Sequence, residues 1–227
     1  MTVVLLHGFT GSPHSFDHLG ITGARTPVLP GHGKAPPATT WEAALDRLEP
    51  NLAGKSILCG YSMGARLALG LALRHPERIE RLVLVSGTAG IADPQERVDR
   101  VESDEELAQS IEQDGVPAFV SKWEQHPSLA SLKPFSAQLR PERLANTPAG
   151  LASALRHLGT GSQPSYWGEL GSLSVPVLLL AGVKDAKFME LSRRMHKAFP
   201  RSELRELSSC GHAPHLERPE AFLEALK

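Results

Sequence analysis

Gly60-Tyr61-Ser62-Met63-Gly64 follows the apolar run Ser56-Ile57-Leu58-Cys59 and leads into Ala65-Arg66-Leu67-Ala68-Leu69, whose pattern is helical. The reading is strand, tight turn, helix. A serine held between two glycines at such a junction sits on a strained turn, and small residues are needed where the backbone crowds its neighbours. Its hydroxyl is pushed into the open at a helix N-terminus, where free N–H groups and the dipole favour developing negative charge. The same pentapeptide also occurs in ordinary turns, so the rest of the chain has to decide whether this serine is reactive.

Upstream, Thr2-Val3-Val4-Leu5-Leu6 reads as a parallel strand buried on both faces. It runs into His7-Gly8-Phe9-Thr10-Gly11-Ser12-Pro13, a loop whose backbone N–H groups can turn toward a cavity, and then a short helix near 14–19. Thr26-Pro27-Val28-Leu29 reads as a second short strand, ended by Pro30-Gly31-His32-Gly33, and a helix opens at Trp41 behind a cap at Thr39 or Thr40. Downstream, His75-Pro76 stops the serine-bearing helix and 79–86 is another apolar strand. This alternation predicts an α/β fold with a mostly parallel, open sheet.

The strand pattern lapses from about 88 to 172, where short helices replace it. Ser103-Asp104-Glu105-Glu106 has the form of a capping box for a helix ending at Gly115, and Thr147-Pro148 starts another that ends near Gly159. The expectation is a helical lid over the strands' carboxyl ends. Alternation resumes with a strand at 175–180, a helix at 188–199, a strand at 203–207 and a helix at 219–226. The total is about six strands in a single domain over 1–227.

Composition narrows the function classes. With 227 residues, 41% of them hydrophobic, the chain can bury a full core; a formal charge of −1 with both signs interspersed provides no global field for nucleic acid or an anionic membrane. Two cysteines, Cys59 and Cys210, point to a reducing compartment rather than a disulfide framework. The first strand lacks the basic leader of a signal peptide, and no apolar run approaches spanning length. The expectation is a cytoplasmic protein, a monomer or weak homo-oligomer, with a small-molecule substrate, no nucleic-acid or membrane partner, and no cofactor or metal.

Two further loops follow late strands: Ala181-Gly182-Val183-Lys184-Asp185 and Ser209-Cys210-Gly211-His212. Such loops of a parallel sheet collect at one edge, which brings Ser62, Asp185 and His212 together. A serine hydroxyl needs an imidazole to take its proton, and the imidazole needs a carboxylate to fix its tautomer. Of ten histidines, His212 is the one in a Gly-His turn after the last strand. Negative charge developing beside Ser62 calls for two backbone donors, read here as the N–H groups of Met63 and Phe9.

These segments resemble the α/β-hydrolase superfamily along nearly the whole chain, including its order Ser, Asp, His. Within it, Leu6-His7-Gly8-Phe9-Thr10-Gly11, Gly60-Tyr61-Ser62-Met63-Gly64-Ala65-Arg66, Gly159-Thr160-Gly161-Ser162-Gln163-Pro164-Ser165-Tyr166-Trp167 and Asp185-Ala186-Lys187-Phe188 are similar to the 2-succinyl-6-hydroxy-2,4-cyclohexadiene-1-carboxylate synthases of menaquinone biosynthesis. The resemblance implies elimination of pyruvate from 2-succinyl-5-enolpyruvyl-6-hydroxy-3-cyclohexene-1-carboxylate, with Ser62, activated by His212 and Asp185, as base. The alternative is a carboxylesterase or C–C bond hydrolase using the same triad as nucleophile; a receptor that retains the pocket without catalysis is a third class. A polycarboxylate substrate implies anion ligands, and the match suggests Arg66, Arg100 and Arg143, with Trp123 closing on the ring. Lys187 is either an anion ligand or a helix-start charge, and Tyr61 either lines the pocket or packs under the turn. Two departures stand out. The chain starts at the strand the superfamily counts as its third, and Glu124 stands where some relatives carry an aromatic residue, an unfavourable neighbour for a triacid if it faces inward.

Overall fold

The computed structural model describes residues 2–227. Five parallel strands, β1 (Thr2–Leu6), β2 (Ser56–Tyr61), β3 (Ile79–Val85), β4 (Val177–Gly182) and β5 (Ser202–Leu207), lie side by side in chain order. Parallel neighbours need long crossovers, so helices cover both faces of the sheet. Val4, Leu6, Leu58, Leu82, Leu84 and Leu179 pack with α1 (Trp41–Leu48) and α2 (Met63–Arg74). Their alternates Leu5, Ile57, Cys59, Val83, Val85, Leu178 and Leu180 face Phe16 and Phe222 on the other side. The apolar runs of β1, β2, β4 and the second half of β3 therefore follow from burial on both faces, while Glu80 and Arg81 lie at the less buried start of β3. β5 is one edge of the sheet, and its Glu203, Arg205 and Glu206 suit a half-exposed strand.

The strand expected at Thr26-Pro27-Val28-Leu29 does not form, so the sheet has five strands rather than six. Arg25 alone pairs with β1, donating to Val3 and accepting from Leu5 at 2.8 Å each. Pro27 and Pro30 have no N–H to continue the ladder, and the Leu29 N–H goes to the His7 ring instead.

Helices interrupt the sheet between β3 and β4: α3 (Pro94–Trp123), a 3₁₀ segment (Pro127–Phe135), α4 (Ser136–Leu144) and α5 (Pro148–Leu158). α3 starts nine residues before the expected capping box, because Pro94 follows Asp93, whose carboxylate accepts the Glu96 N–H at 2.8 Å. Gly115 breaks the helix where expected, at φ 78°, and a second helical stretch continues beyond it. Thr147 caps α5 and Gly159 ends it. α3 and α5 meet through Ala108, Ile111, Leu151 and Leu155.

The returning segment ties the inserted helices to the sheet. Gln163 Nε2 donates to the Thr88 carbonyl (3.1 Å), Tyr166 N to Ala89 (2.8 Å) and Trp167 Nε1 to Gly90 (2.8 Å), so the end of the insertion is fastened to its start. A β-carbon at Gly159 would strike the Asp104 carboxylate, and one at Gly161 would lie 2.7 Å from Val101. The two glycines let α3 lie directly on this turn. After β4 come α6 (Ala186–Ala198), β5, α7 (Pro214–Glu217) and α8 (Pro219–Ala225).

Candidate active site

Ser62 is the N-cap of α2, at φ 53° and ψ −109°, and its side chain caps nothing. That region is costly for any residue with a β-carbon, on the order of 1–3 kcal/mol, and persists because the surroundings over-determine it. Its N–H donates to the Val85 carbonyl at 2.9 Å. A β-carbon at Gly64 would collide with the carbonyl oxygens of Leu6 and His7, and one at Gly60 with that of Gly64. Close packing of the turn against the end of β1 thus requires glycine on both sides of the serine. The other non-glycine residues with positive φ are Thr10, Ser86 and Ser209, which follow β1, β3 and β5. Backbone strain among the described residues gathers at the strands' carboxyl ends.

His212 joins the two other predicted residues. One ring nitrogen, Nε2, is 3.1 Å from Ser62 Oγ, and Nδ1 is 2.5 Å from Asp185 Oδ2. Asp185 also caps α6, its Oδ1 accepting the Phe188 N–H at 3.4 Å. The His212 and Asp185 side chains are both 8% exposed, so their interaction is little screened by water. Hydroxyl, imidazole and carboxylate form one chain able to move a proton from Ser62 toward a buried anion.

Phe9 lines the cavity above Ser62. Met63 is the first residue of α2, where helix geometry leaves the N–H without an intrahelical acceptor. Two histidines set the Phe9 loop, and only the first was singled out from sequence. His7 Nε2 accepts from Leu29 N (3.1 Å), so Nδ1 donates to the Gly8 carbonyl (2.9 Å); His32 Nε2 accepts from Thr10 N (3.2 Å), so Nδ1 donates to Pro30 (3.2 Å). Their rings meet edge to face, 5.0 Å apart. The signal for His32 was its place between two glycines, Gly31 and Gly33.

Burial holds His7 down to about 3, helped by His32, and His32 down to about 4; burial also brings His215, which packs 4.4 Å from Tyr61, to about 3. All three are neutral in the fold and protonate near 6.5 once unfolded. Between those values the unfolded chain binds more protons, so stability is lost as the pH falls. Each histidine is expected to cost up to about 1.4 kcal/mol per pH unit below 6.5, the slope easing near pH 3–4. Urea melts from pH 7.5 to 5 measure this, and a midpoint independent of pH would contradict it.

Of the expected anion ligands, only Arg143 lines the cavity, with Tyr61, Trp123, Gly8 and Phe9. Trp123 stands edge-on to Phe9 at 5.8 Å, and Tyr61 both lines the cavity and packs on His212 and His215. Arg66 lies one turn past Ser62, but its guanidinium turns to the Leu158 carbonyl (2.8 Å) and over Trp41 (5.8 Å). Burial first, then the like charge of Arg100, lowers it to about 9, still cationic at neutral pH. Arg100 pairs with the buried Asp104 at 2.9 Å. Lys187 is exposed in the first turn of α6. The three arginines therefore do not converge above Ser62 in this structure, because Asp104 and the carbonyl of Leu158 engage two of them. Glu124 is turned to Arg140 (2.7 Å) and Arg143 (3.1 Å).

A serine, histidine and aspartate brought together at the carboxyl edge of a parallel sheet, in a cavity that the inserted helices help to line, define an enzyme of the α/β-hydrolase type. The chain belongs to the α/β hydrolase family, whose model matches residues 3–225. It is 37% identical to a Bacillus subtilis (strain 168) protein provisionally named 2-succinyl-6-hydroxy-2,4-cyclohexadiene-1-carboxylate synthase, over 97% of this chain and 86% of that one. It is 30% identical to the synthase of that name from Pectobacterium atrosepticum, over 99% of this chain and 92% of the relative. The solved structure of MenH from S. aureus superposes with a TM-score of 0.92 at 30% identity, covering 99% of this chain and 91% of that one. No helix among the described residues is long and apolar enough to cross a membrane.

Proposed function

We propose that this protein eliminates pyruvate from 2-succinyl-5-enolpyruvyl-6-hydroxy-3-cyclohexene-1-carboxylate, giving 2-succinyl-6-hydroxy-2,4-cyclohexadiene-1-carboxylate for menaquinone biosynthesis. The observation that carries the reading is an intact proton relay beneath a lid whose buried Arg143 faces the same cavity. In the elimination, Ser62 Oγ takes the ring proton next to the succinyl ketone as its own proton passes to His212 Nε2. The ketone oxygen gains negative charge, held by the N–H groups of Phe9 and Met63. The ring double bond then shifts, the C–O bond to the enolpyruvyl group breaks, and the proton held on His212 is given up as the departing enolate is protonated to pyruvate, which restores the relay. Asp185 stabilises the imidazolium throughout. No acyl-enzyme forms, so the serine serves as a base. The test is pyruvate release from this substrate, followed by a coupled lactate dehydrogenase assay; no release above background would remove the synthase reading.

Arg143 is the anion ligand this reading needs first, and Glu124 competes for it. A buried guanidinium, 8% exposed, needs a counter-charge, which Glu124 supplies while Arg140 holds the same carboxylate from outside. A substrate carboxylate reaching Arg143 can leave Glu124 paired with Arg140. Glu124→Gln is expected to strengthen inhibition by a tricarboxylate such as tricarballylate by about tenfold, since a charge-assisted hydrogen bond to a competing anion is lost. An unchanged inhibition constant would remove Glu124 from this role.

The second reading, ester hydrolysis by the same triad, is favoured by the apolar wall of Leu129, Leu132, Leu139 and Leu216. It expects rapid turnover of short neutral aryl esters with a burst of product, and indifference to Arg143→Ala.

A further inference from the structure

His212 stands between two backbone N–H groups that both donate to one side chain. Gly211 N lies 2.7 Å from Glu217 Oε2, and Ala213 N lies 3.1 Å from Glu217 Oε1. The carboxylate of α7 thus clasps the turn from both sides of the histidine, fixing the backbone from which its ring reaches Ser62 and Asp185. A third donor comes from the lid: Ser131 Oγ gives its proton to Glu217 Oε1 at 3.1 Å. Ser131 belongs to the 3₁₀ segment, and the fit there is close enough that a β-carbon at Gly211 would collide with the serine hydroxyl. Around this polar contact, Leu129 and Leu132 of the lid bury themselves against Ala213 and Leu216.

We infer that Glu217 is the positioning residue of His212, and that Ser131 makes the positioning depend on the lid segment being seated. The inference rests on His212 taking the Ser62 proton, which elimination and ester hydrolysis share, and not on the identity of the substrate. With the lid down, the carboxylate has its full set of donors and the His212 turn is held at Gly211, at Ala213 and, through Ser131, from above. With the 3₁₀ segment lifted, the turn loses both its polar tether and its apolar cover. Displacement of a reacting group by about 1 Å costs on the order of a hundredfold in rate, so a modest loosening of this turn would silence the relay until the lid returns. A lid so connected reports its closure directly to the base.

The experiment uses a fluorophosphonate probe, which reads the relay without the natural substrate: the Ser62 Oγ–P bond forms, fluoride leaves and the serine proton passes to His212. Glu217→Gln leaves one acceptor for two backbone donors and is expected to slow labelling about tenfold or more; Ser131→Ala removes only the lid's tether and is expected to slow it about threefold. Because the serine acts through the carboxylate, Ser131→Ala/Glu217→Gln should label no more slowly than Glu217→Gln alone. Labelling within twofold of wild type in both single variants, with unchanged circular dichroism, would overturn the inference, as would multiplying losses in the double variant. Where Glu217→Gln fails to fold, Ser131→Ala decides alone, and wild-type labelling by it overturns the inference. A wild-type protein that labels rapidly yet releases no pyruvate would remove the synthase reading and leave this one standing.

Discussion

Ser62→Ala is expected to lower pyruvate release by about four orders of magnitude or more, with the thermal midpoint little changed. The hydroxyl hydrogen-bonds His212 Nε2, and its side chain supports no part of the helix it precedes. Deleting it removes the base without removing a cap. Alanine keeps the β-carbon and so keeps the strained φ of 53°, whereas glycine would relax it. Ser62→Gly is therefore expected to be as inactive as Ser62→Ala yet more stable than wild type by about 1 kcal/mol. Stability gained at the cost of activity would identify the turn as strain retained for chemistry. Activity of Ser62→Ala within tenfold of wild type would exclude the serine as base, and a Ser62→Gly variant less stable than wild type would exclude the strain argument.

Ser62, Asp185 and His212 were legible in sequence because each lies in a glycine-bearing loop after a strand, the first two after apolar runs and His212 after the charged edge strand β5, and parallel topology sends all such loops to one edge. The framework was legible for a related reason: residues buried on both faces leave apolar runs, as in β1, β2, β4 and residues 82–85 of β3. The extra strand at 26–29 failed because Val28 and Leu29 have strand-like side chains while two prolines deny the backbone its donors. Side-chain direction was not legible. Arg66 sits one turn past Ser62, as spacing requires, but the helix surface there meets Trp41 and the end of α5, and a buried guanidinium follows the nearest free carbonyl. Arg100 met an aspartate one turn along its own helix, in a stretch that composition alone presented as a capping box. Glu217 was invisible for the opposite reason. A glutamate five residues past a histidine resembles any exposed helical acid until a short α7 folds it back beneath the Gly-His turn.

Asp185→Asn is expected to lower turnover by about 10³–10⁴-fold while the fold is retained, and the cause lies in two hydrogen bonds made by one carboxylate. Oδ2 accepts from His212 Nδ1, which leaves the lone pair on Nε2 free to take the Ser62 proton; Oδ1 accepts the Phe188 N–H at the start of α6. An asparagine has one oxygen for these two tasks. With the oxygen on Phe188, the cap survives at full strength, since asparagine caps helices as well as aspartate does. The amide NH₂ then faces Nδ1, which must become the acceptor. The ring proton moves to Nε2, and the histidine can no longer accept from Ser62. With the amide reversed, the tautomer is restored, but two donors face each other at the start of α6 at a cost of about 1 kcal/mol, and no anion remains to stabilise the imidazolium. Both orientations damage the relay, and the cap favours the more harmful one. The measurements are turnover, thermal midpoint and exchange of the Phe188 amide proton. Lost turnover with a protected Phe188 amide matches the first orientation; turnover within tenfold of wild type would mean that His212 works without a fixed tautomer, and the proton relay would have to be redrawn.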